Sequence, residues 1–188
     1  MGPPYCYQTD FEKFLMHNRV DHFSVEGCVD TLYQLPNMSV GLSDFKSSIP
    51  VLWWRGVGHT HTAYAMESLL DMVAQRTGKD PIELRLDLLN SNDLKQQRMA
   101  NVLKISRRRS SWNKGNKRGF AAHYSYKTFV AVVADVSATG KQVHIDKLHI
   151  SVDCGVPVNP DVIRAQMEGG AGSVSYTHLT LPTSLIVL

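Results

Sequence analysis

Cysteine is scarce in this 188-residue chain: Cys6, Cys28 and Cys154 are odd in number and far apart. No Cys-x-x-Cys pair occurs, which argues against a zinc ribbon, a ferredoxin-type cluster and a disulfide framework, and makes reduced thiols the default. Long apolar runs are absent too. Nothing approaches the ~20 uncharged residues of a membrane helix, so no membrane span is expected. Met1-Gly2-Pro3-Pro4 lacks the basic and apolar regions of a secretory leader, so no export address is visible. The net charge is only +3, too small by itself to specify a nucleic-acid partner. What remains, 43% hydrophobic and 20% charged residues, is the composition of a folded chain of one or two ordinary domains.

Residues 1–50 hold few periodic signals, and so much irregular chain suits a segment packed across a larger body better than a free-standing domain. From Ala63 the pattern turns helical. Met66, Leu69, Leu70 and Val73 recur at helical spacing, and Gly78 offers a left-handed stop. Asp80 is placed to cap a second helix, with Pro81 at its first position and Glu83 completing a capping box. Ile82, Leu84, Leu88 and Leu89 would form the buried side of that helix. A third helix is predicted from about Asp93 to Lys104, and Lys104 to Lys117, with Arg107, Arg108 and Arg109, reads as an exposed loop.

Two strands follow, Gly119 to Ser137 and Gln142 to Cys154, joined by a hairpin turn at Ala138-Thr139-Gly140-Lys141. Asn159 then caps a helix that starts at Pro160 and puts Ile163 and Met167 on one face. At Gly169, Gly170 and Gly172 glycines replace the residues that sustain a helix. The elements together predict a mixed α/β fold, helices plus a β-hairpin leading into a capped helix.

Two stretches are candidates for chemistry, the first against the plainer reading of a glycine turn with a surface arginine, the second against a helix C-cap with packing glycines, which spacing alone favours. In Trp54-Arg55-Gly56-Val57-Gly58-His59-Thr60-His61-Thr62, two glycines precede a helix start, where backbone N–H groups can approach an anion and the helix dipole favours negative charge. Arg55 adds a cation with a fork suited to phosphate or an oxo group. The spacing fits neither a dinucleotide fingerprint nor a phosphate-binding P-loop. His59 and His61 could join His123 or Cys154 around a metal, but only one short ligand pair exists, and polar histidines near a turn are the simpler reading, so no metal ligands are expected. The second stretch runs from Asp153-Cys154-Gly155 through Asn159-Pro160 to Gln166 and Gly170. Gln166 offers a donor and an acceptor, which suits a pterin-like heterocycle, and the glycines beyond it let a bulky group approach the backbone.

Taken in order, four segments resemble the molybdenum-cofactor-binding subunit of the xanthine dehydrogenase/aldehyde oxidase family, and within it the branch that includes isoquinoline 1-oxidoreductase beta subunits. They are Ser24-Val25-Glu26-Gly27 with Leu35-Pro36-Asn37; Trp54 to His61 with Glu67-Ser68 and Gly78-Lys79-Asp80-Pro81; Arg118-Gly119-Phe120-Ala121-Ala122-His123; and Val152 to Gly170. Each is modest alone, and the ordered set is specific. The resemblance implies a partial molybdopterin-binding domain over residues 1–172, an internal fragment of a large two-part molybdenum domain. Residues 173–188, with Leu181-Pro182 and Leu185-Ile186-Val187-Leu188, depart from the family and are expected to be a non-native tail.

The resemblance places Arg55 and Gly56, with Gly58 beside them, at the molybdenum centre, and Gln166, Glu168, Gly169 and Gly170 along the pterin. Val57 stands where purine-oxidising relatives often carry an aromatic that stacks on substrate, and valine cannot stack. The implied reaction is oxidative hydroxylation of a small aldehyde or N-heteroaromatic with water as oxygen source, with electrons leaving through iron–sulfur clusters in a partner subunit. The catalytic glutamate of the family is expected beyond the end of this chain, and Glu168 is not it, so no catalytic residue is assigned and the fragment alone is expected to be inactive. The start of the parent chain is expected upstream, which leaves the compartment open between cytoplasm and periplasm. The competing reading from another class is a non-enzymatic module that binds nucleic acid or another anion through the basic run Lys104 to Arg118.

Overall fold

The computed structural model describes residues 16–17, 20–43, 48–49, 54–113, 117–140, 142–178 and 184–187. Its centre is a sheet of four strands, β3 (Arg118–Ser125), β4 (Thr128–Thr139), β5 (Gln142–Asp153) and β6 (Ser184–Val187), in spatial order β3-β4-β5-β6. The first three are antiparallel, and β6 joins β5 in parallel. A two-residue ladder, β1 (Met16–His17) with β2 (Val20–Asp21), precedes a 3-10 turn at His22–Ser24. Helices α1 (His59–Thr77), α2 (Pro81–Asp87) and α3 (Leu94–Arg109) come before the sheet, and α4 (Pro160–His178) follows β5. The fold is mixed α/β, as the element pattern predicts.

Period-two alternation in β4 sorts its side chains to two faces. Phe129, Ala131 and Val133 join Phe120 and Ala122 of β3 against Met99, Val102 and Leu103 of α3, forming the main core. Val130, Val132 and Ala134 face the other way and, with Ile145, Leu148 and Ile150, meet Met167 and Ala171 of α4. The sheet is thus sandwiched between α3 and α4, while α1 packs along the β3 edge. There Glu67 accepts the backbone N–H of Ala122 at 2.7 Å, which satisfies a donor that β4 does not take.

Local signals near α2 act as expected in most respects. Gly78 ends α1 at φ 69, and Asp80 accepts from the N–H groups of Ile82 and Glu83 with Pro81 opening α2. Ile82 and Leu84 are buried, and Leu88 and Leu89 pack on the core. The capping box is only half formed, because the Glu83 carboxylate pairs with Arg107 instead of reaching back.

Four expectations need correction. First, α1 starts at His59 rather than Ala63, and its buried side chains are His59, Thr62, Met66, Glu67, Leu70 and Ala74. Leu69 and Val73 are 50% and 38% exposed, because the packing phase follows the buried Glu67 rather than the widest apolar arc. Second, the basic segment is not a loop as far as Arg109. It is the last turn of α3, whose carbonyl end favours cations, and Ser106 is anchored beneath it by Ser151 at 2.8 Å. Third, Gly119 to Ser137 is two strands. Tyr126 and Lys127 make the turn at φ 47 and 63, a conformation normally left to Gly or Asn. The Tyr126 ring is held edge-on to His59 at 5.5 Å, a tertiary contact that accompanies the unusual turn. Fourth, α4 runs through Gly169, Gly170 and Gly172 to His178. Packing of Met167 and Ala171 on the sheet offsets the roughly 1 kcal/mol that each glycine costs a helix. In the segment expected to be a non-native tail, Ser184–Val187 pairs with Lys147–Ile150 of β5; residues 179–183 and 188 lie outside the described residues.

Candidate functional site

The first stretch forms a tight turn just before α1. Trp54 and Arg55 are exposed, and the Val57 N–H closes the turn on the Trp54 carbonyl at 3.0 Å. Gly56 has φ 86 and Val57 φ 46. A β-branched residue in the left-handed region is a strained one, and here the strain sits beside the candidate site. Thr60 Oγ1 donates to the Arg55 carbonyl at 2.9 Å and ties the turn to the first turn of α1.

Gly58 is required by contact rather than by φ. A Cβ there would lie 1.7 Å from the Phe23 carbonyl oxygen. Its N–H donates to Glu26 Oε1 at 3.0 Å, and Thr62 Oγ1 lies 2.7 Å from the Glu26 carbonyl. The start of α1 therefore already faces an internal carboxylate. An anionic ligand in this region would have to be met by side chains instead of the Gly58 amide.

The second stretch is held by a fork. Arg98 of α3 places two nitrogens on Asp153 at the end of β5, at 2.9 and 2.6 Å, and stacks over the Phe129 ring at 4.5 Å. These hydrogen bonds hold the Asp153 carboxyl below its usual range, against the smaller effect of burial. Gly155 turns the chain at φ 87, with its N–H on Asp153 at 3.0 Å. Asn159 Oδ1 then accepts from the N–H groups of Asp161 and Val162, which starts α4.

These two ends meet. Arg55 Nη2 donates to Gln166 Oε1 at 2.6 Å across 111 residues of sequence, with both side chains exposed. The bond engages the amide oxygen, so Gln166 retains its NH2 group as a donor. Gly169 and Gly170 follow one turn later on the same side of α4, and a Cβ added at either, or at Gly172, meets no atom within 4 Å. Glu168 is separated from this group, lying about 200° around the helix from Gln166 at roughly 100° per residue. The structure thus brings together Arg55, Gly56, Gln166, Gly169 and Gly170, leaves Gly58 beneath the turn with its N–H occupied, and carries Glu168 on the other flank. A guanidinium, an amide donor and an open helix backbone suit an anionic heterocycle, and this donor set fits a pterin.

The histidines divide. His59 Nδ1 and His123 Nε2 are 2.9 Å apart, while His61 Nε2 lies 3.1 Å from the Ser24 carbonyl. Among the described residues no group of three or more His, Cys, Asp or Glu is arranged to hold a metal. Burial, and then the neighbouring His59, push His123 down to about 4, against the pull of Asp30. In the basic run, Arg107 is paired with Glu83, and Arg118 with Asp135 at 2.6 Å.

Two polar groups have roles that spacing alone does not reveal. In the sequence Glu26 stands out only as part of a resembling segment, and its role depends on Gly58, 32 residues away. Glu67 is 6% exposed and accepts from Tyr33, Arg85 and Ala122. Burial pushes the Glu67 carboxyl up, against the opposing pull of Arg85 and these hydrogen bonds. The available signal is a carboxylate at helical spacing among the apolar Met66, Leu70 and Ala74 of α1.

Comparison with known proteins gives two family matches, both described as a molybdopterin cofactor-binding domain, one over residues 12–89 and one over residues 62–173. The chain is 29% identical over 147 residues to the beta chain of isoquinoline 1-oxidoreductase from Brevundimonas diminuta, covering 73% of this chain and 18% of the relative. It is 29% identical over 160 residues to the B component of nicotinate dehydrogenase from Pseudomonas putida, covering 73% of this chain and 13% of that protein. It is 31% identical over 144 residues to a membrane-bound aldehyde dehydrogenase of Gluconacetobacter polyoxogenes whose name carries pyrroloquinoline quinone, covering 63% and 18%. The chain spans less than a fifth of the length of these relatives.

Proposed function

Because the chain belongs to the molybdopterin cofactor-binding domain family, we propose that it forms one wall of a molybdopterin site in a molybdenum-dependent oxidoreductase. The observation that carries this reading is the Arg55–Gln166 hydrogen bond, which joins the two family segments at one exposed place. Arg55 would hold an anionic oxygen of the cofactor, the Gln166 NH2 group would donate to a heterocyclic acceptor, and Gly169 and Gly170 would admit the ring system against the helix backbone. When bound, the molybdenum group supplies the two-electron redox chemistry that oxidises a substrate carbon with water as oxygen source. The substrate is a small aldehyde or N-heteroaromatic, in keeping with the names of the relatives. An iron–sulfur partner subunit takes the electrons. The catalytic base is supplied by another part of the parent polypeptide, so this segment binds and orients without itself turning over substrate.

The test is cofactor loading. Produced in a host that makes molybdopterin, the parent polypeptide should release a fluorescent pterin on acid oxidation. Arg55→Ala and Gln166→Ala should each lower retention through dialysis by about tenfold or more, the scale of a lost hydrogen bond to a charged group. A preparation that releases no pterin, or a quinone in its place, would overturn the reading.

A further inference from the structure

Beneath the Arg55 turn lies a chain of buried polar groups that the cofactor reading does not use. Glu26, Gly27 and His59 are all buried, and His123 is partly so. The two Glu26 carboxylate oxygens go separate ways: Oε1 takes the Gly58 N–H at 3.0 Å, and Oε2 stands 3.7 Å from His59 Nε2. On its other side, His59 Nδ1 is 2.9 Å from His123 Nε2. Gly27 closes the assembly at φ 82, where a Cβ would come within 2.5 Å of Thr62 Oγ1 and 2.8 Å of His59 Nδ1. The Tyr126 ring closes the far side of His59.

The geometry points to Glu26 as the positioning residue of the Arg55–Gly58 turn, holding the Gly58 amide through one oxygen and, with the other facing His59 Nε2 at 3.7 Å, setting the direction in which His123 donates to His59. The direction follows from simple electrostatics. A carboxylate facing His59 Nε2 favours a proton there over a lone pair. With that nitrogen protonated in the neutral ring, His59 Nδ1 is an acceptor, so the 2.9 Å contact requires His123 Nε2 to donate. His59 is then fixed as the first residue of α1, and Glu26 clamps the amide before it. Gly58 and His59 follow Arg55 by three and four residues, so a slack clamp lets the turn move and separates Arg55 from Gln166. The importance of that separation rests on the cofactor reading, but the clamp itself does not.

The test uses the parent polypeptide, produced without cofactor. In histidine-labelled protein, long-range nitrogen–proton spectra at neutral pH should show His59 and His123 both protonated at Nε2 and unprotonated at Nδ1. Glu26→Gln keeps an oxygen for Gly58, so the Gly58 amide should stay protected and the Arg55–Gln166 side-chain NOE should persist, while the His59 tautomer preference weakens. Glu26→Ala should speed Gly58 amide exchange by about tenfold or more and abolish that NOE. A His59 protonated at Nδ1 in the wild type would overturn the proposal, and this readout stands even if Glu26→Ala fails to fold. Retention of both Gly58 protection and the NOE in a folded Glu26→Ala variant would also overturn it. Since none of these measurements involves a pterin, failure of cofactor loading would leave the clamp intact, and failure of the clamp would leave loading to be judged separately.

Discussion

Arg85 and Arg55 both reach partners well removed in sequence, yet they sit in opposite environments. Arg85 is fully buried below α1, with Nε on the Glu67 carboxylate at 2.9 Å, Nη2 on Asp71 at 2.8 Å and on the Glu67 carbonyl, and Nη1 on the Pro81 carbonyl. Its face covers the Phe120 ring at 5.3 Å. Burial alone would lower this guanidinium, but Glu67, Tyr33 and Asp71 outweigh it and hold it charged. Arg55 stands exposed in the turn before the same helix and, among the described residues, its guanidinium bonds to Gln166. A guanidinium enclosed on every side holds elements together, while one with an open side is available to a ligand. Burial and the number of partners, more than residue type, separate scaffold from site here.

That contrast can be broken most forcefully at the buried end. Glu67→Ala strands Tyr33 and the Ala122 N–H and leaves buried Arg85 with only the half-exposed Asp71 as a counter-charge, and should cost about 3–5 kcal/mol, seen as a lower urea midpoint. Replacing Glu67 and Arg85 together by leucine should cost much less than the sum of the single changes, because no fully buried charge is left unpaired and the released Asp71 is half exposed. A simple sum would mean that the two do not act as a unit.

The next effect is pH dependence at the His59–His123 pair. The folded state holds His123 down to about 4 from an ordinary value of 6.5. Its contribution is therefore fully present above about 6.5 and is lost as pH falls toward 4, with a ceiling of about 3 kcal/mol. The charged groups facing the pair are Glu26 and Asp30. Denaturation midpoints between pH 7 and 4 should fall in the wild type and flatten in His123→Phe.

A smaller loss is expected at Asp80, which caps α2 through Oδ1 and accepts the Trp112 indole N–H through Oδ2 at 2.8 Å. Asp80→Ala should cost roughly 1–2 kcal/mol in the same assay. At the exposed end, Arg55→Ala should change stability by no more than about 0.5 kcal/mol while weakening cofactor retention. If it destabilised the chain as much as Glu67→Ala, the distinction between scaffold and site would collapse.

Much of this molecule is legible along the chain. Asp80 and Asn159 caps, the Gly78 stop and the turn at Gly140 all act within a few residues, so their chemistry is carried by neighbours in sequence. Local preference misleads where a distant contact overrules it. Tyr126 turns without glycine beside His59, α4 continues through glycines because Met167 and Ala171 pack on the sheet, and Glu67 rather than Leu69 faces the core because Ala122, Arg85 and Tyr33 await it.

The sequence alone determined the helical segments ahead of a β-hairpin and a capped helix after it, and the family the chain resembles, since residue type and short spacing suffice for these. Only the tertiary structure decided that Arg55 meets Gln166, that Glu26 takes the amide of Gly58, that His59 meets His123, and that Glu168 turns away from Gln166. The physical reason is that the first three are pairings across 111, 32 and 64 residues, which depend on how the helices dock on the sheet. The fourth depends on α4 remaining helical through its glycines, which its packing on β5 provides.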